Sequence, residues 1–188
     1  LNKIRRKQCS AADLDRLNER AMGVEAYEAP QEIVLTTTNQ RARAINQFRL
    51  KELQGPLFHY AATFTGKFDE GSCPTEPELV LKRGAHVMMV RNDPNRRWVN
   101  GTLGLIQDLS DERITVSIDG QNHDVPVSTW ERIRYTYDEA TGKVEPEVIG
   151  AFEQYPIKLA WAITIHKSQG QTFDKVFVEL DRGAFAHG

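Results

Sequence analysis

Long apolar runs are missing from this chain. No stretch approaches the roughly 18 consecutive apolar residues that a membrane-crossing helix requires. The opening LNKIRRKQCS also lacks the apolar core of a secretory leader. No membrane partner is expected, and a cytoplasmic location is. Cysteine is scarce: Cys9 and Cys73 lie far apart, with no CxxC and no Cys/His cluster, so neither a disulfide framework nor a zinc site is indicated. Excess charge of one sign is absent too, since 24 Lys+Arg stand against 26 Asp+Glu for a formal charge of −2. A wholesale basic surface is thereby ruled out, and any nucleic-acid contact must come from a local stripe. Also missing is the G-x-x-x-x-G-K-[ST] loop that holds nucleotide phosphates. Thr65-Gly66-Lys67 lacks the earlier glycine, and Asp69-Glu70 sits in a Gly-rich stretch instead of following a buried strand. The chain is not expected to hydrolyse ATP by itself.

What is present suffices for a core. The 188 residues are 40% hydrophobic and 27% charged, enough for one ordinary domain or two small ones. Leu at position 1 and the ending GAFAHG are expected to mark a piece of a longer chain. Ser10 followed by Asp13 reads as a capping box, and Leu14, Leu17 and Ala21 recur at helical spacing, which predicts a helix over 11–21. Gly23 and Pro30 lead to IVLTTT (33–38), a β-branched run that reads as a buried strand. Asn39 is placed to cap a helix with Ala42, Ile45, Phe48 and Leu53 on one face, stopped by Gly55-Pro56. Strand followed directly by helix is the unit of an α/β layer.

Residues 55–80 show no clean period and read as an irregular connection. Short β-like runs follow at 85–90, 102–109, 113–118 and 123–127, with Asp119-Gly120 as a type I′ hairpin turn. Ile133, Tyr135 and Tyr137 alternate with polar residues, and Thr141-Gly142 supplies another turn. Such spacing suggests a small barrel of the SH3 or OB kind. After Gly150 the α/β pattern returns, with IKLAWAI (157–163) and KVFVEL (175–180) as strands, so the barrel interrupts an α/β domain.

Three places carry candidate chemistry. In TIHKSQGQTF (164–173) a strand runs into a loop dense in hydroxyls, amides and a cation beside a glycine. That suits phosphate or base contacts, and equally suits a polar strand-end loop. In NDPNRRWVNG (92–101), Arg97 and Trp98 offer a cation for phosphate and a ring for stacking; the alternative is a ring tucked into the barrel. Arg41 and Arg43 can track a strand from their helix or simply be solvated. His59, His86, His123 and His187 show no metal spacing.

WAITIHKSQGQTFDKVFVEL (161–180) resembles helicase motif V of superfamily one DNA helicases, in the RecD and PIF-type branch. In the same order, IVLTTTNQRARAIN (33–46) resembles the motif IV region, and LKRGAHVMMVRNDPNRRWVNGTLG (81–104) resembles the start of that branch's SH3-like insertion. LNKIRR (1–6) is similar to the end of the first motor domain. The resemblance implies an α/β, RecA-like second motor domain interrupted by an SH3-like β-barrel. Its parts would be a helical segment at 1–29, the motor domain at 30–80 and 151–188, and the barrel at 81–150.

On that pattern Thr164, His166 and Lys167 would meet single-stranded DNA. Thr38 and Asn39 would lie near the strand, or serve only as a helix cap. Gly170, Gln171 and Thr172 would face ATP, with Thr172 standing where related branches carry an acid. A complete parent would use ATP and Mg²⁺ and the first motor domain of the same chain, and would move in inchworm steps, in a branch that usually travels 5′ to 3′. No cofactor is expected on this piece, and the arginine motif of the family would follow Gly188. Two rival readings stand beside this one: a non-enzymatic SH3-like interaction module on an α/β scaffold, and a degenerate motor domain in a nuclease or transposon protein.

Overall fold

The computed structural model describes residue 3 and residues 6–21, 32–138 and 142–180. Gly23, Pro30, Thr141, His187 and the ending GAFAHG lie outside the described residues, as do parts of the expected segments 1–29 and 151–188. Helix α1 spans Ala11–Asn18, shorter than expected. Ser10 caps it reciprocally: Ser10 Oγ accepts from the Asp13 N–H at 3.2 Å, and Asp13 Oδ2 accepts from the Ser10 N–H at 3.0 Å. Lys3 and Ser10 both bond the Asp13 carboxylate, which holds its pKa far below the usual range. The apolar spacing finds no partner among the described residues, with Leu14 and Leu17 each 46% exposed.

Strand β1 (Ile33–Thr36) leads into helix α2 (Asn39–Glu52). The cap is Thr38, not Asn39, which is already helical. Thr38 keeps an extended backbone and its Oγ1 accepts from the Arg41 N–H at 3.2 Å. Ala42, Ile45, Asn46 and Leu50 form the buried face of α2, whereas Phe48, expected there, is 57% exposed because six residues carry it well off that stripe.

The stretch 55–80 is largely β structure. It holds β2 (Phe58–Ala61), β3 (Thr63–Gly66) and β4 (Glu78–Leu81), with β2 and β4 paired antiparallel. Period 2 was hidden there because the strands are only four residues long, and β3 is exposed throughout. Next come β5 (His86–Met89), β6 (Leu103–Ser110), β7 (Arg113–Ile118) and β8 (Gln121–Val125). Asp119 and Gly120 take φ of +50° and +78° between β7 and β8, as a type I′ turn needs. A long ribbon follows, β9 (Ser128–Asp138) with β10 (Lys143–Gln154), which also pairs with β3. One face of this ribbon sets Tyr137 opposite Val144, Tyr135 opposite Pro146 and Ile133 opposite Val148, all exposed to solvent.

The run IKLAWAI is two strands and not one. β11 (Ile157–Leu159) pairs antiparallel with β5, and β12 (Ala162–Thr164) pairs parallel with β1. Helix α3 (Ile165–Ser168) and β13 (Val176–Glu179) complete the chain, β13 flanking β1 on its other side. The parallel sheet therefore runs β12-β1-β13, and a five-stranded antiparallel sheet runs β11-β5-β6-β7-β8. Antiparallel pairing extends from Phe58 to Leu159, wider on both sides than the interruption expected at 81–150.

Alternation along β1 explains how the layers stack. Val34 faces α2 with Ala42, Ile45 and Ala162, whereas Ile33 and Leu35 face the other way, toward Met88, Ile163 and Phe173. One face of the parallel sheet is covered by helix and the other by the antiparallel insertion. The larger core lies inside that insertion, where Leu79, Leu81, Val87, Met89, Ile106 and Ile114 are almost fully buried.

The splice between the two sheets is held by Asn46. Its Nδ2 donates to Leu159 O at 3.3 Å and Ala162 O at 2.9 Å, while its Oδ1 accepts from the Ala162 N–H at 2.8 Å. Gln154 plays the matching part elsewhere, donating to Tyr60 O at 2.7 Å and accepting from the Tyr155 N–H at 2.9 Å. An Asn46→Ala chain leaves buried backbone groups unpaired and is expected to lose roughly 2–4 kcal/mol in urea unfolding. A loss under about 0.5 kcal/mol would show that water replaces the amide.

Candidate nucleic-acid interface

Parallel pairing sets the ends of β1 and β12 side by side, with Thr36 opposite Thr164. Both threonines are buried, and Thr36 Oγ1 donates to Thr38 O at 3.0 Å, which fixes the exit into α2. Beside these ends opens a cleft of about 460 Å³, lined among others by Asn39, Arg43, Asn46, Thr164 and Lys167. A second cleft of about 460 Å³ is lined by Asn100, Gln169, Gly170 and Gln171. Met88, Lys158 and Lys167 belong to both, so the two clefts form one polar trough along the seam between the sheets. Acid reaches only the first part, where Glu76 and Glu78 join the lining and Glu76 lies 4.0 Å from Arg43.

The structure thus brings Asn39, Arg43, Thr164 and Lys167 to one cleft. Thr38 stands at its edge with its hydroxyl committed to the cap. His166 is exposed on α3 and lines neither cleft. Of the residues expected to face ATP, Gly170 and Gln171 line the second cleft while Thr172 is exposed outside it. Gln171 is spoken for: its Nε2 donates to Lys167 O at 3.3 Å and lies 3.7 Å from Met88 Sδ. It also packs on Gly101, whose φ of +93° favours glycine and where an added Cβ would come within 2.5 Å of Gln171 Nε2. The motif-like loop is therefore seated directly on the 92–101 loop. Arg41 points elsewhere, its Nε and Nη2 meeting Glu179 Oε1 at 2.8 and 2.6 Å.

Of the two readings of the 92–101 loop, strand binding or a ring tucked into the insertion, the fold takes the second. Trp98 is 5% exposed and belongs to the core of the insertion, so its ring presents no face for a base to stack on. Arg97 lies 4.4 Å over that ring and is forked onto Asp93, Nη2 to Oδ1 at 2.7 Å and Nε to Oδ2 at 2.9 Å, with Nη1 donating to Asp124 O at 3.1 Å. A guanidinium so engaged is an internal brace, not a free phosphate ligand. The Arg97 hydrogen bonds pull the Asp93 carboxyl down to about 2. The composition of the loop hid this: an acid four positions before an arginine reads as solvated charge until the fold closes them around a tryptophan.

Sequence reasoning passed over Asn46, Asn100 and Lys158. The signal for Lys158 was there, a lone cation inside the apolar run IKLAWAI. Burial is the largest influence lowering its ammonium pKa, followed by the neighbouring Lys167.

These features define a mixed α/β protein in which a parallel sheet carries an antiparallel β insertion and a cationic trough runs along their seam. Residues 70–109 match the family model described as DNA helicase Pif1, 2B domain. Among curated relatives, the ATP-dependent DNA helicase Pif1 of Bdellovibrio bacteriovorus is 41% identical over 109 residues, covering 58% of this chain and 23% of that protein. The ATP-dependent DNA helicase PIF1 of Rattus norvegicus is 30% identical over 205 residues, covering 100% of this chain and 29% of its own length. A solved Bacteroides Pif1 bound to single-stranded DNA superposes with a TM-score of 0.79 at 34% identity, covering 97% of this chain and 42% of that one. The chain belongs to the Pif1-type family of superfamily one helicases. It spans about a quarter of the length of these two curated relatives.

Because the folded pKa of Asp93 is depressed from 3.8 to about 2, its stabilisation is complete above pH 3.8 and drains away as pH falls toward 2. An Asp93→Asn chain should be less stable at pH 7 and lose less on acidification across that window, as urea midpoints at stepped pH would show. Parallel acid profiles for the two chains would remove the carboxylate from this role.

Proposed function

We propose that this chain is the second, RecA-like motor domain of an ATP-dependent DNA helicase, with an SH3-like insertion, and that its trough binds single-stranded DNA. The observation that carries the reading is the convergence of Asn39, Arg43, Thr164 and Lys167, from α2, the end of β12 and α3, on one cleft. An amide, a hydroxyl and two cations in an open groove suit a phosphodiester backbone, which is held by donors irrespective of sequence. The names of the curated relatives, and the Bacteroides Pif1 solved with single-stranded DNA, point the same way. In this reading the boundaries are those of the motif pattern, 30–80 and 151–188 for the motor part and 81–150 for the insertion. The first motor domain of the same protein supplies the other wall.

Mg²⁺ and ATP belong to that complete assembly. Among the described residues no three His, Cys, Asp or Glu side chains cluster to hold a metal, and the chain has no phosphate loop of the Walker type. In this reading the phosphate loop, and with it the site of hydrolysis, belongs to the first motor domain. What the trough residues can do is grip or release the strand as the two motor domains close and open, which is the coupling role expected of motif V.

The rival interaction-module reading rests on the exposed apolar face of the β9–β10 ribbon. Fluorescence anisotropy with a labelled oligo(dT) separates the two. We expect binding at low salt that weakens as salt rises, with a log–log slope of about 0.7 for each phosphate neutralised. Arg43→Gln and Lys167→Gln should each weaken it several-fold. No binding at high protein concentration would favour the interaction module. In a complete parent, His166→Ala should uncouple ATP hydrolysis from stimulation by DNA; unchanged stimulation and unwinding would remove His166 from the coupling path.

A further inference from the structure

One cation at the middle of the trough has no role in the reading above. Lys158 sits on β11 opposite Met88, and its side chain lines both halves of the trough, as Lys167 does. No hydrogen bond or ion pair within 4 Å reaches Lys158 or Lys167 Nζ among the described residues. Lys158 is partly buried, and charges of both signs stand around it. Lys167 and Arg43 both disfavour its ammonium form, while Glu76 and, more weakly, Cys73 favour it. A part-buried ammonium, Lys158, is thus held at the seam beside the exposed Lys167, with no ion pair to either among the described residues. A surface lysine would swing into water to relieve this; one anchored on β11 beneath the seam cannot do so fully. An anion of high charge density in the trough would satisfy both.

We propose that Lys158 and Lys167 together seat one phosphate of a single strand lying along the trough, and that Glu76 competes for the same ground from the Arg43 side. The groove favours a strand over an isolated ion because it continues in both directions from the lysine pair. Asn39 and Thr164 lie on one side, Asn100 and Gln169 on the other. Glu76 is half-exposed at 4.0 Å from Arg43 and can be displaced toward solvent. The inference rests on the strand-binding reading, and adds to it a central residue and an internal competitor.

The test uses the 188-residue chain and labelled oligo(dT) over a salt series. Lys158→Gln is expected to weaken binding roughly 3- to 10-fold and to lower the salt slope by about 0.7. Lys158→Arg should retain most of the affinity, and Glu76→Gln should tighten binding a few-fold. Lys51→Gln, an exposed cation in the last turn of α2, should change neither affinity nor slope. Thermal melts of each variant confirm that the comparison is between folded chains. If the wild type binds but Lys158→Gln behaves like Lys51→Gln, the seat is wrong and the strand reading stands. If ATP displaces the oligonucleotide and Lys158→Gln loses ATP to the same degree, the phosphate comes from nucleotide, and the strand assignment of the seat is overturned. If the wild type binds no oligonucleotide, the strand reading falls. Inorganic pyrophosphate, followed by NMR of the lysine Nζ groups, then decides the seat: a shift at Lys158 and Lys167 upholds the anion pair, and no shift removes it.

Discussion

Everything in this chain turns on one side-chain amide. Between Leu159 and Ala162 the backbone leaves an antiparallel sheet and joins a parallel one, and in doing so it has backbone groups that neither ladder fully pairs. Asn46 supplies the donors and the acceptor that this change of partner requires. Buried backbone groups must be paired, so an asparagine projecting from the buried face of α2 sets where the helix sits over the sheet. It also pins the point at which the insertion ends. The trough lies where it does because this splice brings Lys158, on one sheet, to the same cleft as Thr164 at the end of the other and Lys167 on the helix that follows it.

Much of the architecture was legible in residue types. The β-branched run at 33–38, the Asp119-Gly120 turn and the Ser10–Asp13 capping box each bias local geometry by themselves; the turn and the box are found where the pattern put them, and the strand occupies Ile33–Thr36 of its run. What escaped was non-local. The run 157–163 is uniformly apolar because both of its halves are buried, and apolarity alone carries no mark of where one sheet yields to another. The strands in 58–81 are too short for period 2 to show, and β3 gains its place only by pairing with β10, more than 80 positions later. Thr38 and Asn39 are both good caps, and the choice between them was made by the buried Thr36 hydroxyl bonding to Thr38 O.

The site divides in the same way. Polar residues that follow or end the parallel strands and line the cleft, such as Asn39, Thr164 and Lys167, could be picked from the motif-like stretches. Residues whose role depends on what surrounds them could be narrowed only to alternatives. Trp98 and Arg97 have the composition of a nucleic-acid loop, yet the loop folds its own cation over its own ring and locks both with Asp93. The near-zero net charge fits this arrangement. Cations that count are few, sit along one seam, and are set against acids that line only part of it.

The parallel sheet has a consequence for how the chain acquires its shape. Its central strand is made early in the sequence, but both neighbours come after the whole insertion, and the amide of Asn46 meets Ala162 across 116 positions. Closing so long a loop is entropically costly, whereas the β5–β8 and β9–β10 hairpins close over short distances. Contact order therefore predicts that these hairpins form before the parallel sheet closes. Chain emerging from a ribosome would hold β1 as an unpaired edge until nearly all of this sequence had been made, a vulnerability that the early burial of its Val34 face under α2 would reduce.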